Sequence, residues 1–135
     1  MTVKHVSADA AEAEFYRAFA EGRLEAMTRV WAESDAVVCI HPARSAITGH
    51  GAVADSWKDI LVESARFDIS FLCTSKHEAD GLAVHIGLER LTVDPGQIAN
   101  LAVTNVYRRT PDGWKIILHH AAPIHEGPEP DETVH

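Results

Sequence analysis

The chain has 135 residues, with 20 acidic against 12 basic side chains, a formal net charge of −8 and 46% hydrophobic residues. That length supports one domain around a single core, and an acidic surface without a basic stripe excludes the usual nucleic-acid binder. No apolar run is long enough for a membrane span and no leader-like segment opens the chain, so a cytoplasmic protein with no membrane partner is expected.

The first segment reads as a helix. Asp9 followed by Glu12 resembles a capping box, and Ala11, Phe15, Ala18 and Phe19 recur at helical spacing. Gly22 suits a left-handed stop. A short second helix follows, with Leu24, Met27 and Trp31 on one face and Arg23, Glu25 and Arg29 outward. Val37, Val38, Cys39 and Ile40 form a β-branched run ending at His41-Pro42, where proline keeps His41 extended. A short strand at 46–48 and a turn at Gly49 and Gly51 lead into a third helix. Its apolar face is Val53, Trp57, Ile60 and Leu61.

Helical periodicity then disappears. Residues 66–71 alternate with period two. Residues 81–92 form a long strand, with a turn at 94–96. Residues 101–109 form the next, and a hairpin turn at 110–113 leads into the last strand, 114–120. Strands joined this closely are antiparallel. Cys39 and Cys73 sit singly in apolar runs, as buried reduced thiols do. The domain is expected over 1–123, followed by an acidic, proline-rich tail, 124–135, loose or draped on a partner. The fold class is α+β: a strongly curved, mostly antiparallel sheet wrapped around three helices, with a pocket between.

Three stretches, DAVVCIHPARSAITG (35–49), AVADSWKDIL (52–61) and TNVYRRTPDGWKIILHHAAP (104–123), resemble the SnoaL-like members of the nuclear transport factor 2-like superfamily. The resemblance covers roughly residues 9–123. It implies the cone fold, commonly as a homodimer through sheet faces, and it fixes no reaction, because that scaffold hosts isomerases, dehydratases, cyclases, hydrolases and binding domains. No catalytic residue is carried over from it.

Candidate site residues come from strand alternation. With Arg109 opposite Trp114, paired numbers sum to about 223. Trp114, Ile116, Leu118 and His120 then share the inner face with Val103, Asn105 and Tyr107, while His119 looks outward. A one-residue slip would reverse that assignment. His120, His41 and Glu89 are the acid–base candidates. Trp57, Asn105 and His119 are the ligand-contact candidates, with Asn105 suited to holding a carbonyl or enolate oxygen. Ala83, His85, Gly87 and Glu89 form one row of their strand, and Glu89 is the one plausible pocket carboxylate of the sheet. Each has a purely structural alternative: His41 closing a strand end, Asn105 and His120 bonding backbone, Glu89 pairing with Arg90 or Arg108 outside. A metal centre is disfavoured because adjacent His119 and His120 face opposite ways. The expected activity is cofactor-independent acid–base chemistry on a small apolar carbonyl compound; the other class is a non-catalytic dimeric binding or assembly module.

Overall fold

The computed structural model describes residues 4–63, 68–93 and 96–125. Helices α1 (Ala8–Glu21) and α2 (Leu24–Val30) come first, then strands β1 (Val38–Ile40) and β2 (Ile47–Thr48), helix α3 (His50–Glu63), and strands β3 (Asp68–Ala79), β4 (Leu82–Val93), β5 (Gln97–Thr110) and β6 (Gly113–Pro123). The strands form one mixed sheet in the order β2-β1-β6-β5-β4-β3, antiparallel except for β1 beside β6. This is the α+β arrangement expected from the order of periodicities. The expected start of the strand at 66–67, the turn residues 94–95 and the tail from 126 lie outside the described residues.

The start of α1 differs from the capping box. Ser7 is the cap, its side chain accepting from the Ala10 amide at 3.0 Å, which frees Glu12 to turn inward. Gly22 closes the helix in the left-handed region at φ 67°, as a residue without Cβ does most cheaply. Tight turns bind β3 to β4 and β5 to β6. Asp80 and Gly81 both take positive φ, 53° and 75°, the signature of a two-residue turn matched to sheet twist.

Two bulges shape the sheet. On β3, Thr74 is left over between the pairs Cys73↔Gly87 and Ser75↔Ile86. On β6, Ile117 is left over between Tyr107↔Ile116 and Val106↔Leu118. A bulge adds a residue on one strand, bends it and increases twist. Gly87, opposite the β3 bulge, lies so close to β3 that a Cβ would fall 2.1 Å from the Leu72 carbonyl oxygen.

The concave face packs on the helices. Phe15, Phe19, Met27, Trp31, Trp57 and Ile116 are buried in one cluster, with Phe15 set edge-on to Trp57 at 5.5 Å. Each such aromatic contributes about 2–3 kcal/mol by burial. A second cluster of Leu101, Val103 and Ala121, with Phe71 against it, sits apart.

Candidate active site

The inward faces of β4, β5 and β6 carry Glu89, Asn105 and His119, which are 1%, 0% and 2% exposed. Tyr16 joins them from α1, stacked on Phe71 at 4.9 Å. Tyr16 Oη donates to Glu89 Oε2 at 2.7 Å. Asn105 Nδ2 donates to Tyr16 Oη at 2.9 Å, and His119 Nδ1 lies 2.6 Å from Asn105 Oδ1. Beside them the hydroxyl of buried Tyr107 donates to Glu12 Oε1 at 3.2 Å.

Counting hydrogens fixes the orientation of this network. Each tyrosine has one hydroxyl hydrogen and spends it on a carboxylate. The Tyr16 oxygen is left to accept, and Asn105 Nδ2 supplies that hydrogen. The Asn105 oxygen then faces His119, so His119 carries its proton on Nδ1. Its Nε2 is a bare lone pair, 3.9 Å from Glu89 Oε2, which is beyond hydrogen-bonding distance.

Electrostatics follow from the enclosure. Burial pushes the Glu89 carboxyl up to about 7, against a smaller downward pull from the Tyr16 hydroxyl. Burial pushes His119 down to about 3, helped by the nearby His41 and His120. The His119–Glu89 contact is therefore a neutral imidazole beside a titrating carboxyl and not an ion pair. Burial raises the Tyr16 hydroxyl far above its usual range, with Glu89 adding to the rise, so the phenol stays a donor.

His41 is 3% exposed, with Nε2 2.9 Å from Ser56 Oγ. The Ser56 hydrogen goes to the Val53 carbonyl at 2.7 Å, so His41 Nε2 donates and ties the end of β1 to α3. Burial first, then Arg44, lowers it to about 4. Trp57 roofs the same region, edge-on to His41 at 4.9 Å and tilted to His119 at 5.9 Å. Its indole nitrogen is buried and leans toward the Cys39 thiol without making a well-formed hydrogen bond.

The expected facing of the histidine doublet is reversed. His119 is buried and His120 is exposed on the outer face. The pairs Arg109↔Trp114 and Tyr107↔Ile116 keep the anticipated sum, but beyond the Ile117 bulge Asn105 meets His119. Glu89 points inward, not out toward Arg90 or Arg108. Asn105 is buried as expected, though its amide is spent on neighbours and it is not offered to a ligand oxygen. Two participants were not among the candidates: Tyr16, and Glu12, which the sequence placed in a capping box; they lie one turn apart on the flank of the Phe15–Phe19 stripe.

A second polar group lies along the same sheet. His85 Nδ1 is 3.0 Å from Glu12 Oε1, and Asp9, Glu12 and His85 present ligand atoms within 4.8 Å of one another. Lys76 already sits on Asp9 at 2.8 Å. The Thr74 bulge aligns Lys76 with His85. On the outer face a cavity of about 610 Å³ is floored by Val38, Val106, Ile117 and Leu118 and edged by Arg108 and Lys115.

Residues 9–125 match the SnoaL-like domain family model. A Thiobacillus denitrificans protein provisionally assigned as a calcium/calmodulin-dependent protein kinase type II association domain is 34% identical, over 91% of this chain and 99% of that one, with a TM-score of 0.84. A Streptomyces avermitilis protein provisionally assigned as a dehydratase of the nuclear transport factor 2-like family is 30% identical, over 87% and 93%, with a TM-score of 0.70. The F-box protein SKIP8 of Arabidopsis thaliana is 28% identical over 109 residues, so the chain, matched over 81% of its length, spans about half (46%) of that relative. The chain belongs to the SnoaL-like domain family of the nuclear transport factor 2-like superfamily.

Proposed function

We propose that this is a small-molecule pocket protein whose chemistry is proton transfer by Glu89, without a cofactor, on an apolar carbonyl compound. The observation that carries the reading is a carboxyl 1% exposed, with a pKa raised to about 7 by burial. A group poised near the working pH exchanges protons most effectively, and such poised carboxyls gather at functional sites. The Tyr16 hydroxyl fixes Glu89 Oε2 in place, and the His119 imidazole is neutral and cannot quench the carboxylate. His41 and His120 have no part in the step: one ties β1 to α3, the other faces outward.

The test is α-hydrogen exchange of small cyclic ketones in heavy water, followed by proton NMR. Exchange should accelerate with a pH midpoint near 7 and fall about 100-fold in Glu89→Gln, the scale of losing a general base. No acceleration over a panel of ring ketones would remove the proton-transfer reading.

A second reading, a dimeric assembly module, is supported by the apolar outer face. Leu72, Ile86 and Leu88 are 64%, 42% and 43% exposed there. The relative with a TM-score of 0.84 and 34% identity is itself assigned as an association domain. The two readings are compatible, since the sheet faces are separate.

A further inference from the structure

We infer that the ligand of this site presents a hydroxyl group, held between His119 Nε2 and Glu89 Oε2, and that the site selects for that donor over a carbonyl oxygen alone. The inference rests on the interior being a ligand site, as proposed above, and deepens it by naming what the ligand must carry.

The argument starts from the sense of the hydrogen bonds. His119 Nδ1–H is committed to Asn105 Oδ1, and turning Asn105 over would set its carbonyl oxygen against the Tyr16 oxygen, whose hydrogen goes to Glu89. His119 Nε2 is therefore an acceptor that cannot become a donor by changing tautomer. Protonation would make it a donor, but burial and the neighbouring histidines hold the ring neutral. A carbonyl, ether or carboxylate oxygen brought to this nitrogen meets lone pair against lone pair. A hydroxyl meets it with a hydrogen.

The second atom sets the fit. Glu89 Oε2 stands 3.9 Å from His119 Nε2. A single oxygen at the apex of that pair can lie within about 2.8 Å of both, a normal hydrogen-bond length. A hydroxyl there donates its one hydrogen to Nε2 and accepts the proton of the neutral Glu89 carboxyl. Both buried groups are satisfied, which is the condition for burying polar atoms without loss. When Glu89 ionises, two acceptors face one hydrogen and the contact weakens. The groups facing Glu89 are Tyr16 from α1, a permanent donor, and neutral His119 from β6, with Asn105 on β5 and the Phe71 ring on β3. None of these carries a charge of its own that would mask that change. The ligand class that results is a hydroxylated apolar ring compound, its hydroxyl anchored between His119 and the protonated Glu89 carboxyl.

The experiment uses the wild-type protein labelled with ¹⁵N in its histidines, titrated with cyclohexanol and with cyclohexanone. Cyclohexanol should shift the bare imidazole nitrogen of His119 and leave its Nδ1–H unchanged. It should bind about tenfold more tightly than cyclohexanone, the scale of one hydrogen bond lost with a buried acceptor left bare. Its affinity should fall as pH rises through 7, and Glu89→Gln, which keeps a donor, should remove that pH dependence. If both rings bind alike, or the His119 signal does not respond, the hydroxyl site is overturned while ketone exchange still judges the role of Glu89. If cyclohexanol binds as described but no ketone exchanges, the proton-transfer reading falls and the ligand site stands. If neither ring binds, both fall.

Discussion

Glu89, His41 and His119 make stability depend on pH in opposite senses. The folded Glu89 carboxyl titrates near 7 against an ordinary 4.5. It binds its proton more readily folded than unfolded, so its contribution is complete below the ordinary value and is lost as pH rises through about 7. His41 and His119 titrate near 4 and 3 against 6.5. Their contribution is complete above 6.5 and is lost as pH falls toward those lower values. With two histidines against one carboxyl, the effects nearly cancel from pH 6.5 to 8, so the melting temperature should be level there and fall below pH 6. Glu89→Gln should steepen the rise between pH 5 and 7, raising the melting temperature by a few degrees at pH 8 and less at pH 5. Parallel melting curves for the two proteins across pH would show that Glu89 is not the group responsible. At this scale the sequence was partly legible. The row holding Glu89 alternates cleanly, so its side chain could be nominated. Tyr16 could not, because a tyrosine beside an apolar stripe has no mark separating a packed ring from a hydroxyl reaching 2.7 Å to a carboxylate.

Among the elements, periodicity located the helices and long strands, and β-bulges limited what followed from it. A bulge changes which side chains face inward from that point on, and it needs no glycine or proline to announce it. Ile117 looks like any β-branched strand residue, yet it moves the partner of Asn105 from Leu118 to His119. Gly87 is more informative in hindsight. A glycine inside an alternating strand marks a close approach or a bend, and here it meets the Leu72 backbone. Gly87→Ala should cost about 3 kcal/mol, the upper end for overpacking, because backbone cannot swing aside as a flexible side chain can. Urea unfolding measures this; an unchanged midpoint would mean that β3 shifts freely and that the curvature does not depend on the glycine.

For the whole molecule the outer face of the sheet is the open question of partners. Leu82, Ile86, Leu88 and Ile98 are 39%, 42%, 43% and 46% exposed along adjoining strands. Large apolar side chains exposed along one sheet face mark an interaction surface more often than bare solvent. Light scattering at micromolar concentration should therefore return a dimer, and the pair Ile86→Lys with Leu88→Lys should return a folded monomer. A wild-type monomer would remove the sheet-face dimer. Among the described residues no helix is long and apolar enough to cross a membrane.

The bulge on β6 also bears on how this chain can vary. Insertion or loss of a single residue near position 117 would exchange the two faces of everything downstream in that strand. For most sequences such a change would empty the interior of its functional group. Here two histidines stand side by side, so either register presents an imidazole to the interior. The doublet therefore keeps a histidine on the inner face in either register of this strand.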